Sequence, residues 1–117
     1  MTPARILVCG GRNYADQAML FGVLDVIAEQ QPIYTIIQGG ASGADELARM
    51  WCHTRNVRYE NFPADWRANG KAAGPIRNQQ MIDEGRPTMG LAFKGGGGTA
   101  DMVRRLQKAG ISVAEFA

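Results

Sequence analysis

The chain alternates short apolar runs with segments in which apolar residues recur every three or four positions. Residues 5–9, RILVC, form a mainly apolar, partly β-branched run that stops at a glycine pair, which is typical of a strand buried on both faces of a sheet. From Asp16 the period changes, and Leu20, Leu24 and Ile27 fall on one face of a helix that Asp16 can cap. The chain is therefore predicted to begin with a strand, a glycine turn and a helix.

This unit recurs along the rest of the chain. Four more runs are predicted to be strands, at residues 34–38, 57–62, 88–93 and 111–116. Three more helices are predicted: one that begins at an S-x-x-D capping box, one over residues 75–84, and one that begins at Thr99. The segment between residues 63 and 74 is expected to be an irregular loop.

The alternation of five strands with four helices predicts the fold class. Crossovers long enough to hold a helix favour a parallel sheet covered on both faces, because right-handed connections leave few other arrangements. We therefore predict an α/β protein with a single three-layer Rossmann-like domain over residues 1–117. Its sheet is expected to be five-stranded and mostly parallel, with helices on both faces.

The composition is ordinary for a globular protein except in glycine. Of the 117 residues, 45% are apolar, 21% are charged and 15 are glycines, many of them in clusters. The formal net charge of +2 gives too weak a field to favour nucleic acid or an anionic membrane as a partner. Cys9 and Cys52 lie in apolar patterns, as expected for reduced thiols of a cytoplasmic protein. His53 is the only histidine, and no spacing resembles a metal site, so no metal is expected.

Three of the predicted strands end in glycine-rich turns. Gly10 and Gly11 follow the first strand, residues 39–43 include three glycines after the second, and residues 95–98 are four glycines after the fourth. The carboxyl ends of parallel strands share one rim, where ligands bind, and each turn leads to a helix N-terminus that favours an anion. Glycine pairs also make tight turns, but no turn type requires four glycines. The pattern predicts a phosphate-bearing ligand, although neither the G-x-G-x-x-G nor the P-loop motif is present.

Polar side chains near these turns are candidates for contacts with the ligand. Asn78 is a candidate for orienting a ribose or an amide, with helix-surface solvation as the alternative. Asp45 either stabilises the start of its helix, accepts ribose hydroxyls or pairs with an arginine. Trp66 either stacks on a base or packs beneath the loop. The full set of candidate ligand-binding residues is Gly10, Gly11, Arg12, Gly39, Gly40, Ser42, Gly43, Asp45, Lys71, Arg77, Asn78, Lys94, Gly95, Gly96, Gly97, Gly98 and Thr99.

Four segments together resemble a known family. They are "VCGGRNYAD", "IIQGGASGADELARMW", "ADWRANGKAAGPIRNQQM" and "FKGGGGTADM", and they cover nearly the whole chain. In order and spacing they are similar to the YspA/YpsA-related branch of the SLOG superfamily, a group of small Rossmann-like domains. The resemblance implies binding of a nucleotide or nucleotide-derived ligand such as AMP, ADP-ribose or an NAD-like molecule, and it suggests a homodimer. The wider superfamily includes the LOG phosphoribohydrolases and the DNA-processing protein A family, which binds single-stranded DNA.

The resemblance also implies roles for individual residues. Gly95, Gly96, Gly98 and Thr99 match the P-G-G-x-G-T phosphate loop of the LOG enzymes, and Arg77 and Met81 match their R-K-x-x-M segment. This sequence departs from that pattern in two places. Lys94 stands where the family has proline, and Met102 stands where it has the catalytic glutamate, with only Asp101 beside it.

Three functions follow from these observations. The first is a binding module, such as a sensor, for a phosphate-bearing nucleotide ligand. The second is phosphoribohydrolase-like cleavage of nucleoside monophosphates, in which Asp101 or Asp45 would have to replace the missing glutamate. The third is binding of single-stranded DNA, which the low net charge and the few aromatic residues oppose.

Overall fold

In the computed structural model, which describes residues 2–117, five strands form one sheet. The strands are β1 (Ala4–Cys9), β2 (Ile33–Gln38), β3 (Tyr59–Asn61), β4 (Met89–Ala92) and β5 (Val113–Glu115). The sheet order is β3-β2-β1-β4-β5, and every neighbouring pair is parallel. The prediction of an α/β fold with a five-stranded Rossmann-like sheet is confirmed, and the sheet is parallel throughout.

Helices cover both faces of this sheet. They are α1 (Gln17–Gln30), α2 (Ala44–Arg55), α3 (Trp66–Asn69), α4 (Ala73–Asp83) and α5 (Gly97–Lys108). Side chains alternate across a strand, and β1 therefore contributes to two separate cores. Ile6 and Val8 pack with buried residues of α1 and α2, whereas Leu7 and Cys9 pack with buried residues of α4 and α5.

Two local predictions are wrong in their details. The segment expected to be an irregular loop contains the short helix α3 and a 3-10 turn at Gly70–Ala72. Asp65 caps the first turn of α3, because its side chain accepts a hydrogen bond from the Ala68 amide at 3.0 Å. In addition, α5 begins at Gly97 and not at Thr99, so two of the four glycines are helical.

The order of the strands positions a crevice above β1. The chain runs from β1 outward to β2 and β3, then returns to the other side of β1 and continues through β4 to β5. In open parallel sheets, ligands bind beyond the carboxyl ends of the strands at such a reversal of direction. Along residues 2–117, none of the helices combines the length and the apolar character that a membrane span requires.

Candidate functional site

A cleft of about 610 Å³ lies at the carboxyl ends of the central strands. Cys9 and Met81 contribute to its lining from the sheet and from α4. Residues of α4 and α5 supply more than half of the rest, and the turns after β1, β2 and β4 together with the segment before α4 supply most of the others. The residues predicted from the sequence that line this cleft are Gly10, Gly11, Arg12, Asp45, Lys71, Arg77, Asn78, Gly96, Gly97, Gly98 and Thr99.

The other predicted residues lie around the cleft and not in it. Gly39, Gly40 and Ser42 line an adjoining groove of about 260 Å³, which shares Arg12 with the cleft. Lys94 and Gly95 line a second groove of about 660 Å³, which Arg12 also borders. Gly43 lies beneath the main chain of residues 11 and 12, where a side chain would collide with their backbone atoms.

The glycines of the rim fall into two groups. A Cβ at Gly10 would lie 2.6 Å from the Cβ of Ala44, and a Cβ at Gly95 would lie 2.6 Å from the amide nitrogen of Gly11, so packing within the protein requires these glycines. Apart from the adjoining residues and the backbone of its own helix, a Cβ at Gly96, Gly97 or Gly98 would meet no atom of residues 2–117 within 4 Å. The space above these three residues belongs to the cleft.

The N-terminus of α5 is open toward the cleft. Gly96 is its N-cap and has no side chain that could accept a hydrogen bond from the first turn. Among residues 2–117, no group accepts a hydrogen bond from the amides of Gly97, Gly98 or Thr99. These free N–H groups and the positive end of the helix dipole make the start of α5 a favourable place for an anion.

The N-terminus of α1 differs from that of α5. There the side chain of Asp16 accepts a hydrogen bond from the Met19 amide at 3.0 Å, so a carboxylate of the chain itself already caps the first turn. The glycine turn after β1 therefore leads to a capped helix, and its contribution to the cleft comes from Gly10, Gly11 and Arg12.

Cations surround the cleft. The guanidinium of Arg12 lies 5.2 Å from the ring centroid of Trp66, whose side chain is 47% exposed. Lys71 is exposed beside them. Arg104 also lines the cleft, and its side chain is 69% exposed. Arg104 was not predicted, although it follows Gly97 by seven residues and so falls on the same helical face, a periodicity that the sequence carries.

Arg77 connects three segments beneath the rim. Its Nη1 donates hydrogen bonds to the carbonyl oxygens of Gly39 at 2.8 Å and Phe62 at 3.4 Å, and its Nε donates to the Oδ1 of Asn78 at 3.2 Å. Burial lowers the pKa of Arg77; the charge of Asp45 opposes this shift, and that of Arg12 reinforces it. Arg77 thus fixes the loops after β2 and β3 while its guanidinium borders the cleft.

Asn78 and Asp101 hold the start of α5 in place. The buried Asn78 donates from Nδ2 to the carbonyl oxygen of Gly98 at 3.2 Å and to the Oδ2 of Asp101 at 3.0 Å. The Nε of Arg105 donates to the same Asp101 oxygen at 2.8 Å. Burial alone would raise the pKa of Asp101, but the hydrogen bonds from Arg105 and Asn78 outweigh it and lower that pKa. Asp101 is therefore an ionised, internally paired carboxylate.

Asp45 is a buried carboxylate at the start of α2. It is 7% exposed, and its Oδ2 accepts hydrogen bonds from the amides of Gly39 and Ala41, each at 3.2 Å. Burial raises its pKa, and the two amides together with the charges of Arg77 and Arg49 oppose that shift.

The cleft has no obvious nucleophile, LOG-type carboxylate or metal-binding cluster among residues 2–117. Burial raises the pKa of the Cys9 thiol to about 12, which keeps it protonated. Met102, at the position of the LOG glutamate, lies in the core at 1% exposure. In the part of the chain that the structure describes, no three His, Cys, Asp or Glu side chains are grouped closely enough to hold a metal ion.

Comparisons with known proteins identify relatives of this chain. The sequence model of a family described as YspA, cpYpsA-related SLOG family matches residues 4–68. The Gene 61 protein of Mycobacterium phage D29 is 36% identical over 120 residues, an alignment that covers 96% of this chain and 95% of the phage protein. The family match includes Arg12, Asp45 and Trp66, whereas Arg77 and the start of α5 lie beyond it.

Proposed function

Because the chain belongs to the YspA, cpYpsA-related SLOG family, we propose that it binds a nucleotide or nucleotide-derived phosphate ligand in the cleft above β1. The observation that carries this proposal is the start of α5, where three consecutive amides have no acceptor among residues 2–117 and belong to residues that line the cleft. A phosphate oxygen is the group that such amides bind best.

The charges around the cleft support the same proposal. Four cations line it, namely Arg12, Lys71, Arg77 and Arg104, against two carboxylates. One of those carboxylates, Asp101, already forms a salt bridge with Arg105 at 2.8 Å. The net charge of the side chains that line the cleft is therefore positive, which favours an anionic ligand.

The exposed indole of Trp66 gives the ligand a second attachment point. Its ring lies at the edge of the cleft beneath Arg12, and aromatic faces stack well on nucleobases. A ligand with both a phosphate and a base, such as AMP, ADP-ribose or an NAD-like molecule, would use both the α5 amides and the indole.

The contacts of Asp101 favour binding over glycosidic hydrolysis. A carboxylate that replaced the LOG glutamate would have to face the reacting bond, but Asp101 is engaged by Asn78 and Arg105, and Met102 points into the core. We therefore propose a role as a ligand sensor in preference to a role as a hydrolase. Homodimer formation and a cytoplasmic location stay predictions from the sequence.

The experiment is a titration of the purified protein with AMP, ADP-ribose and NAD, followed by calorimetry and by thermal unfolding. A ligand at about 100 times its Kd contributes roughly 2.7 kcal/mol, which raises the melting temperature by several degrees. Gly97→Val places a branched side chain over the free amides and is expected to abolish binding while the protein still folds. Gly22→Val is the matched control, because Gly22 also has no neighbour within 4 Å of an added Cβ but lies in α1, outside the cleft. Binding that Gly97→Val leaves unchanged would contradict the proposed site, and failure of all three ligands to bind would contradict the proposed function.

A further inference from the structure

The Oδ1 atom of Asp45 lacks a hydrogen-bond partner among residues 2–117. Oδ2 of the same carboxylate accepts two amide hydrogen bonds, from Gly39 and Ala41. Oδ1 accepts no hydrogen bond from residues 2–117, and it is not enclosed by the protein, because the only enclosed side-chain oxygen or nitrogen without a partner in this part of the chain is the Tyr14 hydroxyl. Since Asp45 lines the cleft, Oδ1 is an acceptor that is open to the cleft.

The two arginines nearest to this carboxylate are committed to other groups. Arg77 donates from Nη1 to the carbonyl oxygens of Gly39 and Phe62, and Arg49 donates to the side chain of Gln38 at 2.8 Å and to the carbonyl oxygen of Ala41 at 3.2 Å. Neither arginine forms a salt bridge with Asp45. A ligand that covers this oxygen without offering it a donor would leave it unpaired, which is costly, so a ligand with a donor at this position is favoured.

The cleft therefore has two chemically different ends. Asp45 follows β2, and the free amides of α5 follow β4, with β1 between them. Adjacent strands are about 4.8 Å apart, which places the two ends roughly 10 Å from each other. The α5 end attracts negative oxygen, whereas the carboxylate end repels it and needs a hydroxyl or amine donor. Inorganic phosphate would satisfy one end alone, and a sugar phosphate would satisfy both.

We propose that Oδ1 of Asp45 accepts a hydrogen bond from a ribose hydroxyl of the ligand, so that the protein selects ribonucleotides over deoxyribonucleotides. This inference rests on the proposed function and adds the direction of the ligand in the cleft. The phosphate lies at the start of α5, and the ribose hydroxyls point toward the start of α2.

The test compares AMP, GMP, CMP and UMP with their 2′-deoxy and 3′-deoxy counterparts by calorimetry on the full chain. A hydrogen bond to a charged acceptor predicts that removal of the contacting hydroxyl weakens binding by roughly 10- to 100-fold. Asp45→Asn retains an oxygen for the Gly39 and Ala41 amides but turns the acceptor that faces the cleft into a donor. In that variant, at most a neutral hydrogen bond to the hydroxyl replaces the charge-assisted one, so the preference for the ribonucleotide over its deoxy counterpart is expected to shrink, and an unchanged preference would overturn the role of Asp45.

Glu46→Gln is the matched control, because Glu46 is an acidic residue in the same first turn of α2 but is exposed and does not line the cleft. This variant is expected to keep the preference of the wild type. Equal affinity of the wild type for a ribonucleotide and both of its deoxy counterparts would overturn the inference and leave the proposed function intact. Absence of binding by every one of these nucleotides, and by ADP-ribose and NAD as well, would overturn both. If Asp45→Asn fails to fold, the ratio measured on the wild type decides the question alone.

Discussion

Asn78 holds the first turn of α5 from beneath: its Nδ2 lies 3.2 Å from the carbonyl oxygen of Gly98. The same amide group also donates to Asp101 at 3.0 Å, one turn further along α5. The helix whose free amides form the candidate anion site is thus fixed to α4 by one buried side chain. Although Asn78 lines the cleft, its hydrogen bonds serve the protein, which makes it a positioning residue.

Asn78→Ala is expected to weaken both stability and ligand binding. It leaves the carboxylate of Asp101, whose side chain is 19% exposed, with fewer donors, and the loss of a hydrogen bond to such a charged group typically costs about 1–3 kcal/mol. Urea unfolding measures the free energy of unfolding, and calorimetry with the best-binding nucleotide measures the Kd. Gln80→Ala is the control in the same helix, because the side chain of Gln80 forms no hydrogen bond among residues 2–117. If the two variants were equally stable, the role of Asn78 in fixing α5 would be wrong.

Arg104→Gln is expected to weaken nucleotide binding by roughly threefold to tenfold, because one cation at an exposed site contributes modestly to anion binding. The free energy of unfolding should hardly change, because the side chain is 69% exposed and its contact with Asp101 is long at 3.8 Å. Lys108→Gln removes a charge from the last turn of the same helix and serves as the control. Titrations at two salt concentrations provide a second check, since the effect of Arg104 should shrink at high salt. Equal Kd values for the two variants would argue against a ligand contact by Arg104.

Trp66 is expected to report ligand binding by fluorescence. The chain has two tryptophans. Trp51 is 1% exposed and donates a hydrogen bond to Asp25 at 2.9 Å, so its emission should not respond to a ligand. A base that stacks on Trp66 should quench the remaining emission, and Trp66→Phe should remove that change while ligand still binds by calorimetry. A ligand-dependent signal that persists in Trp66→Phe would exclude stacking on this indole as its source.

Asp45→Asn and Asp101→Asn are expected to shift stability in opposite directions with pH. Burial raises the folded-state pKa of Asp45 above 3.8, although the positive charges of Arg77 and Arg49 act to lower it. The cost of its ionisation is present above that raised pKa and absent below 3.8. Asp45→Asn should therefore melt a few degrees above the wild type at pH 7, and the difference should disappear toward acid.

Ionisation of Asp101 has the opposite effect on stability. Its folded-state pKa lies below 3.8, so its carboxylate stabilises the protein above 3.8, and that contribution is lost as the pH falls through the lowered value. Asp101→Asn should melt below the wild type at pH 7 and approach it in acid. Melting curves from pH 7 down to pH 3 test both variants. Shifts of the same sign for both at pH 7 would contradict the environments described for the two carboxylates.

The sequence predicts the fold well, and eleven of its candidate ligand-binding residues line the cleft of the candidate site. The run at residues 5–9 correctly indicates a strand buried on both faces, because Ile6 and Leu7 lie in different cores. The start of α5 was predicted two residues late because glycine is a poor helix former, and only tertiary contacts such as that from Asn78 place Gly97 and Gly98 in a helix. The short helix α3 was not predicted because a single turn has too few residues to show a period.

The sequence does not reveal which groove each polar side chain near the glycine turns borders. Lys94 and Arg12 both flank glycine turns, yet Arg12 borders the cleft, whereas Lys94 lies over a neighbouring groove. The turns after β1 and β4 are joined in the structure, because the carbonyl oxygen of Lys94 accepts a hydrogen bond from the Gly11 amide at 3.0 Å. Pairing between two distant turns cannot be deduced from spacing along one chain.

The open backbone at the start of α5 has a consequence for the evolution of this protein. Packing would permit alanine at residues 97 and 98, and alanine is favoured over glycine by up to about 1 kcal/mol within a helix. A selection for heat resistance alone should therefore replace these glycines, whereas a selection that also demands ligand capture should retain them. Under the proposed function, thermostability and ligand binding compete at these two positions, and a library randomised there would separate the two pressures.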